Sequence, residues 1–107
     1  MRIKYRIGVM PGPWPAEPAG ADHFWRFVDL CERADVDSLW FNERLSSPTP
    51  VLEPVAAMAA VAARTRRLKF GPSVLITPFR SPVLLARELA TIDFLSGGRM
   101  LPALGVG

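Results

Sequence analysis

Short apolar, β-branched segments alternate with longer helical segments along this chain, and that alternation is what most constrains its fold. Strands are predicted at residues 3–10, 37–41, 68–76 and 99–107. Helices are predicted between them, at about 22–34, 54–63 and 82–95. Such an order predicts an α/β fold, with a parallel sheet built by right-handed crossovers. An open doubly wound sheet and a (β/α)₈ barrel both continue this pattern. A barrel typically needs about 250 residues, so a chain of 107 residues supplies only its first half, about four strands.

Residues at the helix boundaries and on the helix faces support these assignments. Pro54 and Pro82 fit the first turn of a helix, where a missing N–H costs nothing, and Gly97 suits the position after a helix. Asp22 is the expected cap of the first helix, whose apolar stripe consists of Phe24, Phe27, Val28, Cys31 and Ala34. Ser81 is the expected cap of the third helix. Residues 55–63 are all Ala, Val or Met, so the second helix is expected to be covered on more than one face.

Composition and charge exclude several classes of protein. The net charge is +3, but the basic residues are scattered, and the one tight cluster, Arg64, Arg66, Arg67 and Lys69, suits a helix C-terminus. We therefore expect no nucleic-acid partner, and without a Cys/His cluster we expect no metal site. No apolar run approaches the roughly 20 residues of a membrane span, and residues 1–6 do not resemble a secretory signal. With one cysteine, Cys31, expected in the core, the chain is predicted to be a single cytoplasmic domain over residues 1–107.

Four sequence blocks, in this order and spacing, resemble the luciferase-like monooxygenase family. They are Asp37–Arg44 (DSLWFNER), Leu68–Leu75 (LKFGPSVL), Pro82–Asp93 (PVLLARELATID) and the run from Leu95 to Gly107. The resemblance implies the N-terminal portion of a (β/α)₈ barrel that binds FMN or the deazaflavin coenzyme F420. It further implies oxygen insertion into, or hydride transfer to or from, a small organic substrate. The sequence of residues 98–103 (GRMLPA) resembles the deazaflavin-dependent branch of the family more closely than the FMN-dependent branch.

The end of the second strand carries the predicted catalytic residues, Glu43 and Arg44, because barrel enzymes place function at the carboxyl ends of their strands. Relatives commonly have an acid followed by histidine here. Arginine replaces that histidine and cannot exchange a proton near neutral pH. The resemblance implies that Arg44 orients an anionic group or stabilises a reduced flavin, and that Glu43 holds Arg44 or acts as a base. The alternative is a surface salt bridge between these neighbours. Asn42 and Trp14, the latter on the loop after the first strand, are the candidates for the substrate pocket. For Trp14 the alternative is packing against the rim of the barrel.

The third and fourth strands carry the predicted cofactor-binding residues. The resemblance implies a cis peptide bond between Ser73 and Val74 that supports the flavin ring. The alternative is an ordinary strand kink at Gly71-Pro72. Gly105 and Gly107 are expected to let the cofactor approach closely. Pro102 is expected at a strand entrance or a bulge, because proline lacks a donor for a paired strand.

Three polar residues elsewhere have less specific assignments. Thr77 and Arg80 are candidates for polar contacts to the cofactor, although Arg80 suits a solvated loop position. His23 falls in the first turn of a helix and is assigned a structural or solvated role.

Two functional classes remain open. The first is an enzyme of the kind described above, with a small-molecule substrate. The second is a non-catalytic half-barrel, whose exposed strand edges would make the chain self-associate as a homo-oligomer.

Overall fold

Strands and helices alternate through residues 1–12 and 20–107, which a computed structural model describes. The strands are β1 (Gly8–Val9), β2 (Ser38–Phe41), β3 (Lys69–Pro72), β4 (Leu75–Ile76) and β5 (Leu104–Gly105). The helices are α1 (Gly20–Arg33), α2 (Pro54–Arg64) and α3 (Pro82–Ser96), and a 3₁₀ turn spans Thr77–Phe79. The order confirms the predicted α/β fold.

All the strand pairs in this part of the chain are parallel. β2 lies between β1 and β3, with Leu39 opposite Val9 on one side and Phe70 on the other. β4 pairs with β5, and a parallel bridge between Phe70 and Met100 links β3 to the segment that leads into β5. The carboxyl ends of the strands therefore share one edge, as predicted for βα units.

The third strand is interrupted two residues later than the Gly71-Pro72 kink would place it. Gly71 and Pro72 belong to β3 and lie opposite Trp40 and Phe41 of β2. The interruption is at Ser73 and Val74, which are joined by a cis peptide bond as predicted. A backbone N–H at position 72, like that of Phe70, would point toward the segment that leads into β5. That segment no longer pairs with β3 at this point, so proline, which has no N–H, loses no hydrogen bond there.

The outer strands are shorter than predicted. Residues 3–10 yield only β1, and Ile3, Tyr5 and Ile7 are exposed because this segment has a neighbour on one side alone in the described structure. Residues 99–107 yield the bridge at Met100 and then β5, with Pro102 in the irregular stretch between them, as expected of a bulge.

The helices bury the faces that their periodicity predicts, with small corrections. α1 begins at Gly20, so Asp22 lies in its first turn instead of capping it, and Ala34 is exposed beyond its end. Ser81 is the residue before α3 but makes no side-chain capping bond, whereas Gly97 ends α3 with a φ of 68°. α2 packs on both β3 and α3, which confirms that more than one face is covered.

The core lies between the helices and the β2–β3 surface. Its fully buried side chains include Val28, Leu39, Met58, Val61 and Phe70. Cys31 is part of this core, as predicted. Among the described residues, no helix is long and apolar enough to cross a membrane.

Arginines tie the helix C-termini to the strands at the edge opposite the carboxyl ends. The Arg67 guanidinium donates to the carbonyl oxygens of Cys31, Glu32 and Val36, around the end of α1. Arg99 donates in the same way to the last turn of α2. The arginines of this region thus donate hydrogen bonds to the carbonyl groups that helix ends leave unpaired.

Candidate functional site

The predicted site residues at the ends of β2, β3 and β5 lie at one edge of the sheet. Asn42 follows β2 directly, Ser73 follows β3, and Gly105 ends β5. Because all of these strands run parallel, their carboxyl ends meet on the same side of the molecule. The expectation that these residues share a face is confirmed.

A cleft of about 300 Å³ opens between the ends of the first and second strands. Met10 and Gly12 line it from the β1 side, Asn42 and Arg44 from the β2 side, and residues 49–52 close it. Within residues 1–12 and 20–107, Arg44 is the one charged residue that lines the cleft, and it has no ion pair there. The cleft thus places an exposed cation beside apolar and neutral polar groups.

Glu43 does not pair with Arg44, so that part of the expectation is wrong. Its side chain is only 5% exposed and is turned toward the third strand. One carboxylate oxygen, Oε2, accepts a hydrogen bond from the backbone N–H of Ile76 at 2.5 Å. The other, Oε1, pairs with the guanidinium of Arg80. Consecutive residues of a sequence point to opposite sides of an extended segment, which separates Glu43 from Arg44.

Arg80 joins Glu43 to a second glutamate, Glu53. The same Nη2 atom of Arg80 that contacts Glu43 lies 2.6 Å from Glu53 Oε1. Glu53 also caps α2, since its two oxygens accept from the N–H groups of Val55 and Ala56 at 3.1 and 2.7 Å. We call Glu43, Arg80 and Glu53 the clamp. Burial opposes the charge on Glu53, but the helix N–H donors and Arg80 outweigh it and hold the pKa of Glu53 below 4.5.

The clamp is the part of the site that sequence reasoning missed. The sequence predicts a cofactor contact or a solvated loop position for Arg80, whereas its side chain is only 20% exposed and lies between two carboxylates. The available signal was the position of opposite charges just after neighbouring parallel strands, Glu43 after the second and Arg80 after the third.

The segment around the cis Ser73–Val74 bond is exposed at this edge. Val74 is 38% exposed, and its Cγ2 atom would lie 2.8 Å from a Cβ atom placed on Gly105. Any side chain at position 105 would therefore displace Val74. Gly107 has a φ of 85° and lies against the side chain of Ile76. Val74 thus lies beside Gly105, and Ile76 lies beside Gly107.

The remaining candidates are placed as follows. Thr77 Oγ1 donates to the carbonyl oxygen of Gly105 at 3.1 Å, so it ties β4 to β5. His23 is exposed in the first turn of α1. Trp14 lies outside the described residues. Among the residues that the structure does describe, no group of three or more His, Cys, Asp or Glu side chains is arranged to hold a metal ion.

Parallel strands joined by helices, with charged and polar residues collected at their carboxyl edge, define the class of α/β proteins that bind ligands beyond their strand ends. Comparison with known proteins identifies the family within this class. The chain belongs to the luciferase-like monooxygenase family, whose sequence model matches residues 1–107.

Two curated relatives illustrate the range of this family. The chain is 32% identical over 100 residues to 4-hydroxyprotoasukamycin monooxygenase of Streptomyces nodosus subsp. asukaensis, covering 87% of the chain and 27% of the relative. It is 32% identical over 99 residues to the F420-dependent glucose-6-phosphate dehydrogenase of Amycolatopsis mediterranei (strain U-32), covering 86% of the chain and 29% of the relative. The chain thus spans under a third of the length of these relatives.

A solved structure shows the same fold. The oxygenating constituent of 3,6-diketocamphane monooxygenase from Pseudomonas putida, in complex with FMN, matches with a TM-score of 0.83. The match covers 95% of the chain and 29% of that protein at 21% identity.

Proposed function

We propose that this chain forms the first four strands of a (β/α)₈ barrel in an oxidoreductase that uses FMN or coenzyme F420. The observation that carries the proposal is the meeting of residues 42–44, 73–74 and 105–107 at one edge of a parallel sheet. Family membership and the FMN- and F420-dependent relatives support it. The proposed substrate is a small organic molecule.

The residues at this edge fit a flat, partly apolar ring. Val74 presents an exposed apolar side chain, and Gly105 keeps the space beside it free of a second one. We propose that Ser73, Val74, Gly105 and Gly107 support the ring. When bound, such a ring supplies a hydride or, in the case of FMN, the electrons that activate oxygen.

Arg44 is the proposed catalytic cation of the site. Its guanidinium stays charged at all relevant pH values and lines the cleft without an acidic partner in the described structure. An unpaired cation in such a place stabilises negative charge on the reduced ring or orients an anionic substrate group. Asn42, which shares the cleft, and Trp14 are the proposed substrate-pocket residues. Glu43, predicted together with Arg44 as catalytic, lies behind this cleft and supports the neighbouring strand.

An enzyme explains the findings better than a non-catalytic, self-associating half-barrel. The similar proteins include monooxygenases and dehydrogenases, and the residues that would meet a cofactor are grouped rather than dispersed. Between the two cofactors, we favour F420 because the sequence of residues 98–103 resembles the deazaflavin-dependent branch of the family. A cation at Arg44 in place of a proton-exchanging histidine suits hydride transfer as well as oxygen insertion, because neither role assigned to it requires proton exchange.

The test is a pair of reactions with the full-length gene product. Reduced FMN and reduced F420 are each supplied with and without oxygen, and ring oxidation is followed by absorbance against a panel of small organic acceptors. We expect one reduced cofactor to be oxidised in an enzyme- and substrate-dependent way, with oxygen required only for monooxygenation. Oxidation of both at the rate of the enzyme-free control would contradict the proposal.

A further inference from the structure

We infer that Glu43 is a positioning residue whose carboxylate fixes the Ser73–Ile76 segment, and that Arg80 and Glu53 fix that carboxylate in turn. The inference rests on the proposed function, because the segment that it positions is the proposed support of the cofactor ring. It assigns the clamp to cofactor binding and removes Glu43 from the candidates for general base.

The hydrogen bonds of residues 73–76 show why a side chain is needed here. Ser73 N–H donates to the carbonyl oxygen of Phe41, the last residue of β2, at 2.7 Å. Leu75 N–H points the other way, to the carbonyl oxygen of Ala103 at 2.9 Å. Ile76 N–H therefore faces the β2 side again, but β2 has already ended. The carboxylate of Glu43 occupies the place of the missing backbone acceptor.

Arg80 makes this carboxylate immobile. Its Nη2 atom reaches Glu43 and Glu53 together, and its backbone N–H closes the 3₁₀ turn by donating to the Thr77 carbonyl oxygen at 3.0 Å. Glu53 is held by the first N–H groups of α2. The clamp therefore connects the end of β2, the start of α2 and the segment after the cis bond. We therefore expect a displacement at any of these three points to shift the segment that carries Val74.

Both oxygens of Glu43 are used in these contacts, and this argues against a role as a base. A general base needs an oxygen within hydrogen-bond reach of the proton that it removes. Here Oε1 is paired with a guanidinium and Oε2 with a backbone N–H, while the side chain is almost fully buried. Arg44, by contrast, is exposed in the cleft.

The experiment compares Glu43→Gln, Arg80→Met and the double variant in the full-length protein. Glutamine keeps one acceptor for Ile76 N–H but turns an amide N–H₂ toward Arg80, so two donors face each other. Removing the guanidinium as well relieves this conflict, and the double variant should recover. Glu88→Gln and Arg87→Met are matched controls, because both residues are exposed on α3 and have no ion pair among the described residues.

The readouts are the Kd for FMN and for F420, the visible circular dichroism of the bound ring, kcat, and the melting temperature. We expect each single variant to weaken cofactor binding about tenfold or more and to alter the dichroism, with most of the affinity regained in the double variant. The controls should match the wild type. The melting temperature identifies variants that fail to fold. The double variant carries no charge at positions 43 and 80, so it leaves no buried charge unpaired there and keeps the test decisive.

Two results would overturn the inference, and they differ from each other. If the wild type binds a cofactor and Glu43→Gln binds it equally well while kcat falls 100-fold or more, Glu43 is a base and the positioning role is wrong. If the wild type binds neither FMN nor F420, the proposed function fails and the positioning role fails with it.

Discussion

A Cβ atom placed on Gly71 would lie 2.1 Å from the carbonyl oxygen of Leu101. β3 and the segment that leads into β5 thus approach each other so closely that only glycine fits at position 71. The neighbouring bridge from Phe70 to Met100 depends on this approach, because Leu101 N–H donates to the Phe70 carbonyl oxygen at 2.8 Å. This contact joins the three-stranded sheet to the segment that carries Gly105.

Replacing Gly71 with alanine should destabilise the fold. The clash involves a backbone carbonyl group, which cannot rotate away, so we expect a loss of about 3 kcal/mol in the free energy of unfolding. Gly12→Ala is the control, because no atom of the described residues lies within 4 Å of a Cβ atom placed there. Urea denaturation followed by circular dichroism measures both. Equal stability of the two variants would show that the strands are farther apart than described.

Arg99→Met should destabilise the end of α2. The guanidinium donates to the carbonyl oxygens of Ala62, Thr65 and Leu68 and to Thr65 Oγ1, all at 2.7 to 3.0 Å. Loss of these donors leaves partly buried acceptors unpaired, for which we expect a cost of about 3 kcal/mol. Arg26→Met, on the exposed side of α1, should change the stability by less than about 0.5 kcal/mol. Similar unfolding free energies for both variants would refute this capping role.

Glu32→Gln should lower stability in a pH-dependent manner. The Glu32 carboxylate accepts from the N–H groups of Arg66, Arg67 and Leu68 at 2.8, 2.8 and 2.9 Å. Burial opposes the charge, but these donors outweigh it and hold the pKa of Glu32 below 4.5. Because the pKa is lowered on folding, the stabilisation is complete above the unfolded value and is lost as the pH falls through the folded one.

We therefore expect Glu32→Gln to be less stable than the wild type by about 1–2 kcal/mol near neutral pH, and the difference to shrink at pH values below 4.5. Denaturation curves at a series of pH values measure this difference directly. Glu88→Gln, at an exposed position, should show no such trend. A difference that stays constant across the series would mean that the charge of Glu32 is not involved.

Arg44→Met should reduce the activity of the full-length protein more than Arg44→Lys does. Loss of a positioned cation that faces developing negative charge costs on the order of 100-fold in kcat. Lysine restores the charge without the planar donor array, so it should recover part of the rate. Steady-state kinetics with the preferred cofactor measure both, with Arg26→Met as the control. Activity of Arg44→Met at the wild-type level would rule out the catalytic role.

The helices and the direction of the strands follow from local sequence signals. Pro54, Pro82 and Gly97 mark helix boundaries through properties of single residues, and the structure places all three as predicted. The length of the first strand was overestimated, since alternation at residues 3–7 predicts an extended segment but does not reveal whether a neighbouring strand pairs with it.

The site was predicted less completely because its contacts are distant in sequence. The position of Glu43 at a strand end is visible in the sequence, but its partners Ile76 and Arg80 are 33 and 37 residues away. Adjacency in sequence suggested Arg44 instead. Only the register of parallel strands determines which side of β2 the Glu43 side chain meets. The family resemblance implies the cis bond, whereas the residue pattern by itself favours a kink at Gly71-Pro72.

The central claim is that the carboxyl ends of the strands form the cofactor site, and hydrogen–deuterium exchange of the full-length protein with and without FMN or F420 tests it most directly. We predict that the preferred cofactor slows exchange in peptides that cover residues 42–44, 73–76 and 105–107. Peptides that cover residues 34–37, 65–68 and 97–99, at the opposite edge, should exchange at an unchanged rate. Protection confined to the opposite edge, or absent from all of these peptides with both cofactors, would contradict the account.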